Sequence, residues 1–135
     1  MKAVLGLMLA LAAAPAVAAD QFDLVCKGEA KTYVLGEASP VEARYRVDLK
    51  AGRWCKDECA ITQPIHAVED WKIEFLSHPA ANEGERQEME WVDRRSGAWS
   101  VSSITANDLR ARFYSASGTC TPAAFSSFPV VKSRF

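Results

Sequence analysis

Val47-Asp48-Leu49-Lys50-Ala51-Gly52-Arg53-Trp54 and Val92-Asp93-Arg94-Arg95-Ser96-Gly97-Ala98-Trp99 share the pattern Val-Asp-x-x-x-Gly-x-Trp, which reads as a β-hairpin. The four residues ending in the glycine form a loop on a type I turn. The glycine takes the left-handed position that side chains disfavour, and the aspartate caps the turn. Pairing outward from the first loop sets Asp48 opposite Arg53 and Val47 opposite Trp54, and the second loop sets Val92 opposite Trp99. An aromatic ring facing a β-branched side chain across two strands contributes roughly 0.2 to 1 kcal/mol. The shared stretch is too short to argue a duplication. Two hairpins using the same good turn explain it.

Outside the hairpins, period-two alternation recurs and helical periodicity is scarce. In Trp71-Lys72-Ile73-Glu74-Phe75 the large apolar residues share one face, and Leu109-Arg110-Ala111-Arg112-Phe113 does the same. Such segments are half-buried strands. Strands are expected near 21–27, 30–36, 41–48, 53–55, 65–68, 71–77, 87–94, 98–104 and 109–116. The connection from Ser77 to Arg86 should be mobile, and Ala106-Asn107-Asp108 reads as a turn or short helical start. The tail from Thr121 to Phe135 should pack as irregular chain through Phe125 and Phe128. Many short strands with turn signals at this spacing predict an all-β fold, a small antiparallel meander barrel or sandwich of about eight strands.

The chain opens with one cation, Lys2, and an uncharged apolar run ending in Ala16-Val17-Ala18-Ala19-Asp20. Small residues at −3 and −1 suit signal peptidase cleavage after Ala18 or Ala19. Residues 1–19 are therefore expected to be a cleaved signal, and 20–135 a single β domain. The product should be periplasmic or secreted. Cys26 follows Asp23-Leu24-Val25, which is no lipidation site, so no membrane attachment is expected after cleavage. The chain has 16 basic and 17 acidic residues, and losing Lys2 leaves the remainder at net −2. No cluster of Lys and Arg resembles a nucleic-acid footprint.

Cys26, Cys55, Cys59 and Cys120 all lie beyond the signal, and an even number in an exported chain reads as disulfides. Of the three possible pairings, a tight Cys55–Cys59 loop with a Cys26–Cys120 bridge between the domain's ends is favoured. Zinc on Cys55, Cys59, His66 and His78 would need an unusual Cys-x3-Cys spacing in an oxidising compartment. No metal and no cofactor is expected.

Catalytic signals are weak. His66 and His78 are the only histidines, and no Gly-x-Ser-x-Gly elbow accompanies them. Glu83, Glu85, Glu88 and Glu90 read as solvating a loop and a strand face. The four tryptophans, 54, 71, 91 and 99, either build a small core or line a site for an apolar or sugar ligand. Trp91 and Trp99 fall on opposite faces of the second hairpin, so at least one must be exposed or covered by another segment. Both are candidate ligand- or partner-binding residues.

At Tyr45-Arg46-Val47-Asp48-Leu49, Gly52-Arg53-Trp54-Cys55 and Cys59, and again at Gly118-Thr119-Cys120 and Phe125-Ser126-Ser127-Phe128-Pro129, the chain resembles short exported proteins of Gram-negative bacteria without an assigned function. That likeness transfers no catalytic residue. Through Phe22-Asp23-Leu24-Val25-Cys26 it bears a distant resemblance to the periplasmic lysozyme inhibitors, small eight-stranded barrels whose first strand ends in a cysteine. Their inhibitory loop carries Ser-Gly-x-x-Tyr. The nearest segment here, Ser96-Gly97-Ala98-Trp99, has its aromatic one position earlier, and the resemblance makes Ser96 and Gly97 candidate partner-binding residues. The leading expectation is a non-catalytic periplasmic protein that binds a partner or a small apolar ligand. A lysozyme-inhibitor-like protein and a small secreted hydrolase using His66 or His78 are the alternatives.

Overall fold

The computed structural model of the chain describes residues 19–32, 36–79, 86–105 and 112–130. The expected signal up to residue 18, the centre of the 77–86 connection and the turn at Ala106-Asn107-Asp108 lie outside these residues. Among the described residues there is no helix. The strands are β1 (Gln21–Thr32), β2 (Ala38–Asp48), β3 (Arg53–Lys56), β4 (Gln63–Pro64), β5 (Ala67–Val68), β6 (Lys72–His78), β7 (Arg86–Asp93), β8 (Ala98–Thr105) and β9 (Arg112–Ala123).

All nine form one antiparallel sheet, ordered β4-β3-β2-β1-β9-β8-β7-β6-β5. Apart from the β1–β9 pairing, each strand pairs with its neighbour in the chain, so the topology is a meander. The two edges, β4 and β5, are consecutive in sequence. Between them the Ile65 N–H donates to the Gly52 carbonyl (2.9 Å) and the His66 N–H to the Glu74 carbonyl (3.0 Å). Residues 63–68 thus act as one extended segment, half paired with β3 and half with β6. The sheet curls far enough for opposite walls to touch. The Tyr45 ring of β2 stacks on Phe75 of β6 at 4.8 Å, and Trp54 of β3 lies 5.1 Å from the same ring.

The alternation in the sequence sets this interior. Leu24, Cys26, Ala43, Tyr45, Val47 and Trp54 are buried from one side, and Ile73, Phe75, Val92, Trp99, Ala116 and Cys120 from the other. Rings and branched chains so buried contribute on the order of 1.5–3 kcal/mol each. Inside the ring, Cys26 faces Cys120 in register across β1 and β9, and the two form a disulfide. Cys55 and Cys59 form the second, local one.

Several strand boundaries differ from the sequence reading: β2 starts at Ala38 rather than 41, the expected strand 65–68 is replaced by β4 and β5, and β9 ends at Ala123 rather than 116. β1 runs unbroken for 12 residues, whereas separate strands were expected at 21–27 and 30–36. Gly28 instead faces Gly118, and a Cβ on either would fall 1.9 Å from the Ser117 carbonyl oxygen or 2.0 Å from that of Lys27. Here glycine marks close backbone approach within a strand rather than a reversal. β9 continues to Ala123, so the irregular tail starts at residue 124 rather than 121. Pro122 is tolerated because β8 pairs with β9 only up to Thr119, leaving a neighbour on one side there. The tail does pack through Phe125 and Phe128, whose rings meet edge to face at 5.3 Å.

The disulfides should differ in weight. Replacing Cys26 and Cys120 together by alanine opens a closure across 94 residues and should lower unfolding free energy by about 4–5 kcal/mol in the chain-entropy relation. Replacing Cys55 and Cys59 should cost about 2 kcal/mol on the same relation. Urea unfolding of the two double variants checks the order.

Candidate functional site

The two Val-Asp-x-x-x-Gly-x-Trp hairpins stand at the same end of the barrel and shape its mouth. In the first, Val47 pairs with Trp54 and Asp48 with Arg53, and Asp48 Oδ1 accepts from the Ala51 N–H at 2.8 Å. In the second, Val92 pairs with Trp99, and Asp93 Oδ1 accepts from the N–H groups of Arg95 (2.7 Å) and Ser96 (2.8 Å). Gly52 (φ 64°) and Gly97 (φ 76°) take the left-handed conformation. The hydrogen bonds that cap each turn also hold its aspartate below the usual carboxylate range. For Asp93 the Ser96 N–H leads, and for Asp48 the Ala51 N–H leads, followed by the Gln21 amide. The second turn is pinned to the wall, since the Cys120 N–H donates to the Gly97 carbonyl at 2.8 Å. A Cβ on Gly97 would lie 2.5 Å from the Cys120 carbonyl oxygen.

Beneath this turn lies a cavity of about 540 Å3. Its floor and walls are Phe22, Leu24, Ile73, Val92, Cys120 and Pro122, its rim is the turn at residues 93–97, and Ala19, the last residue of the expected signal, also lines it. A concave apolar space with a few polar groups on one edge is the usual form of a small-molecule site.

Deeper in the barrel, polar groups link its walls. Trp99 Nε1 donates to the Tyr45 hydroxyl at 2.8 Å, that hydroxyl donates to Glu90, and Lys56 Nζ lies 2.5 Å from Glu90 Oε1 and 5.3 Å above the Tyr45 ring. Burial first, then the Glu90 charge and hydrogen bond, push the Tyr45 phenol far above its ordinary range, so it stays a donor. A buried carboxylate is tolerated because it has these partners. Glu90, 5 % exposed, corrects the reading that placed it on a solvated face. Its phase with Val92 on β7 carried the signal.

The outer wall has a second buried carboxylate. Asp23 is fully buried beneath the tail, accepting from the Ser126 hydroxyl (2.7 Å), the Ser126 N–H (3.2 Å) and Arg44 Nε (2.8 Å). Burial alone would raise its pKa. The Ser126 bonds and Arg44 outweigh that and hold it below the usual range.

Of the residues singled out in the sequence, Ser96 and Gly97 meet at the cavity rim, Ser96 exposed. Trp99, 2 % exposed, is a core residue whose indole N–H is used inside the barrel. Trp91 is half-buried on the outer wall, paired with Glu74 and Ser100. The structure does not bring these two rings together. His66 lies in the segment between β4 and β5 and His78 at the far end of β6, both exposed. Among the described residues no three His, Cys, Asp or Glu side chains group to hold a metal. The arginines of the rim and the apolar floor went unnoticed in the sequence, where alternation marks inward residues without showing which end stays unfilled. No family model, curated protein or solved structure matches this chain.

Tyr45→Phe should lower stability by about 1–3 kcal/mol, because the Trp99 N–H and Glu90 both lose a partner inside the barrel. Chemical denaturation at neutral pH measures it. The depressed carboxyls of Asp23, Asp48, Asp93 and Glu74 give a pH dependence of known sign. Their stabilisation is present above the ordinary carboxylate pKa, near ~4, and is lost as pH falls through their folded values. Thermal stability should fall below about pH 4. Asp23→Asn should flatten that dependence.

Proposed function

We propose that this chain is an exported, non-catalytic binding protein whose barrel mouth takes up a small apolar ligand. The cavity beneath the second hairpin carries the reading. At about 540 Å3 it falls within the range of ligand clefts, roughly 300–1,000 Å3, and six apolar side chains from four strands line it. Its supports are stiff. Cys120 is tied to Cys26, and the turn above is fixed by Asp93 and by the bond from Cys120 to Gly97. A preformed site loses little freedom on binding, which favours affinity without chemistry. Two disulfides suit an oxidising compartment, and the charged start and apolar run of residues 1–19 supply an export signal.

The neutral dye N-phenylnaphthylamine, which brightens in apolar surroundings, tests this with protein recovered after export. Saturable binding is expected. Leu24→Phe, which fills the floor, and Ser96→Phe, which narrows the mouth, should each weaken it by roughly tenfold, equivalent to about 1.4 kcal/mol of apolar contact. Absence of saturable binding, or parental affinity in both folded variants, would sink the proposal.

A further inference from the structure

The cavity beneath the second hairpin separates its apolar and charged residues. Phe22, Leu24, Ile73, Val92, Cys120 and Pro122 carry no charge, while every charged residue on its lining, Asp93, Arg94 and Arg95, belongs to one turn. The three are not equivalent. Asp93 is turned into its own hairpin, where the Arg95 and Ser96 N–H groups occupy its Oδ1. Arg94 Nη1 donates to the Glu69 carbonyl at 2.9 Å, which reaches its side chain across to the segment after β5. Arg95 is exposed and, among the described residues, its guanidinium enters no ion pair or hydrogen bond. The adjoining hollow brings Asp20, Asp48 and Lys50, of which Asp48 is held by Gln21 and Ala51. Within the cavity's own lining the balance is cationic, two guanidiniums against one carboxylate, while the two carboxylates and one ammonium of the adjoining hollow lie outside it.

Building on the proposed role of this cavity as a ligand site, we infer that the ligand is a single-chain amphiphile with an anionic head. Its apolar chain lies in the cavity, and its head meets Arg95, with Arg94 beside it. A guanidinium fork matches a carboxylate in two parallel hydrogen bonds, and charge-assisted bonds of this kind are about twice as strong as neutral ones. The apolar floor offers no polar partner to a head group inserted the other way round, so orientation follows from desolvation cost.

Titration calorimetry of the exported protein with dodecanoate and with dodecanol, both below their aggregation limits, separates the contributions. Dodecanoate should bind roughly tenfold more tightly at low salt, and the gap should narrow as added salt shortens the screening length. Arg95→Gln, and Arg94→Gln with Arg95→Gln, should lose that preference, with the unfolding midpoint confirming that each variant is folded. Equal affinity for acid and alcohol, or a preference that survives both substitutions, overturns the anionic head while the apolar site stands. If neither chain binds, the site itself falls and this inference falls with it.

Discussion

The seam where the first long strand meets the last governs the rest of the molecule. β1 and β9 pair over ten residues, from Asp23 opposite Ala123 to Thr32 opposite Tyr114. Within that seam Cys26 is bonded to Cys120, and Gly28 faces Gly118 with no room for a side chain on either. A covalent tie and a close backbone approach two residues apart fix both the register and the spacing. Slipping this pairing by one residue would turn Leu24 and Cys26 outward and Asp23 inward. Everything placed by the interior alternation, including the floor of the mouth, follows from that one alignment.

Given that seam, the interior splits into two levels. The hairpin end is apolar and incompletely filled. The middle holds the stacked Tyr45 and Phe75 rings, and beside them sits the set formed by Trp99, Tyr45, Glu90 and Lys56. Polar groups inside a barrel this narrow are costly unless all are partnered, and when they are, they restrict the ways its walls can pack. Lys56 is well suited to the role because its ammonium lies over the face of the Tyr45 ring while it meets the carboxylate. A floor held this firmly lets the cavity keep its shape when empty.

Much of the architecture was legible in the chain. The shared Val-Asp-x-x-x-Gly-x-Trp pattern fixed two turns and their cross-strand pairs because its residues act locally, through an aspartate cap and a left-handed glycine. The cysteine pairing followed from the number of sulfurs and the ends they occupy. The break expected between 27 and 30 is absent because Gly28 sits in a tight strand opposite Gly118, a partner too distant along the chain for local chemistry to reveal. Glu90 and Asp23 show the same limit in another form. Each is a charged residue whose burial depends on distant partners, Tyr45 and Lys56 for one, Ser126 and Arg44 for the other. At the mouth, Ser96 and Gly97 were named as partner-binding residues only through a resemblance, and nothing in the sequence singled out Arg94 and Arg95. Trp99 pointed inward for the same reason that made it conspicuous, its place opposite Val92.

The long separation between the seam's two halves bears on how the chain reaches this state. Until the final strand arrives, β1 has only β2 beside it and presents a bare row of amides, an arrangement prone to wrong association. Contacts so distant along the chain form slowly, because a large loop must close first. Cys26 waits throughout that interval with three other sulfurs that it could meet. The short Cys55–Cys59 bridge, which can form as soon as its own loop exists, withdraws two of them. With Cys55 and Cys59 tied to each other, Cys120 is the one sulfur left for the first cysteine when the last strand docks.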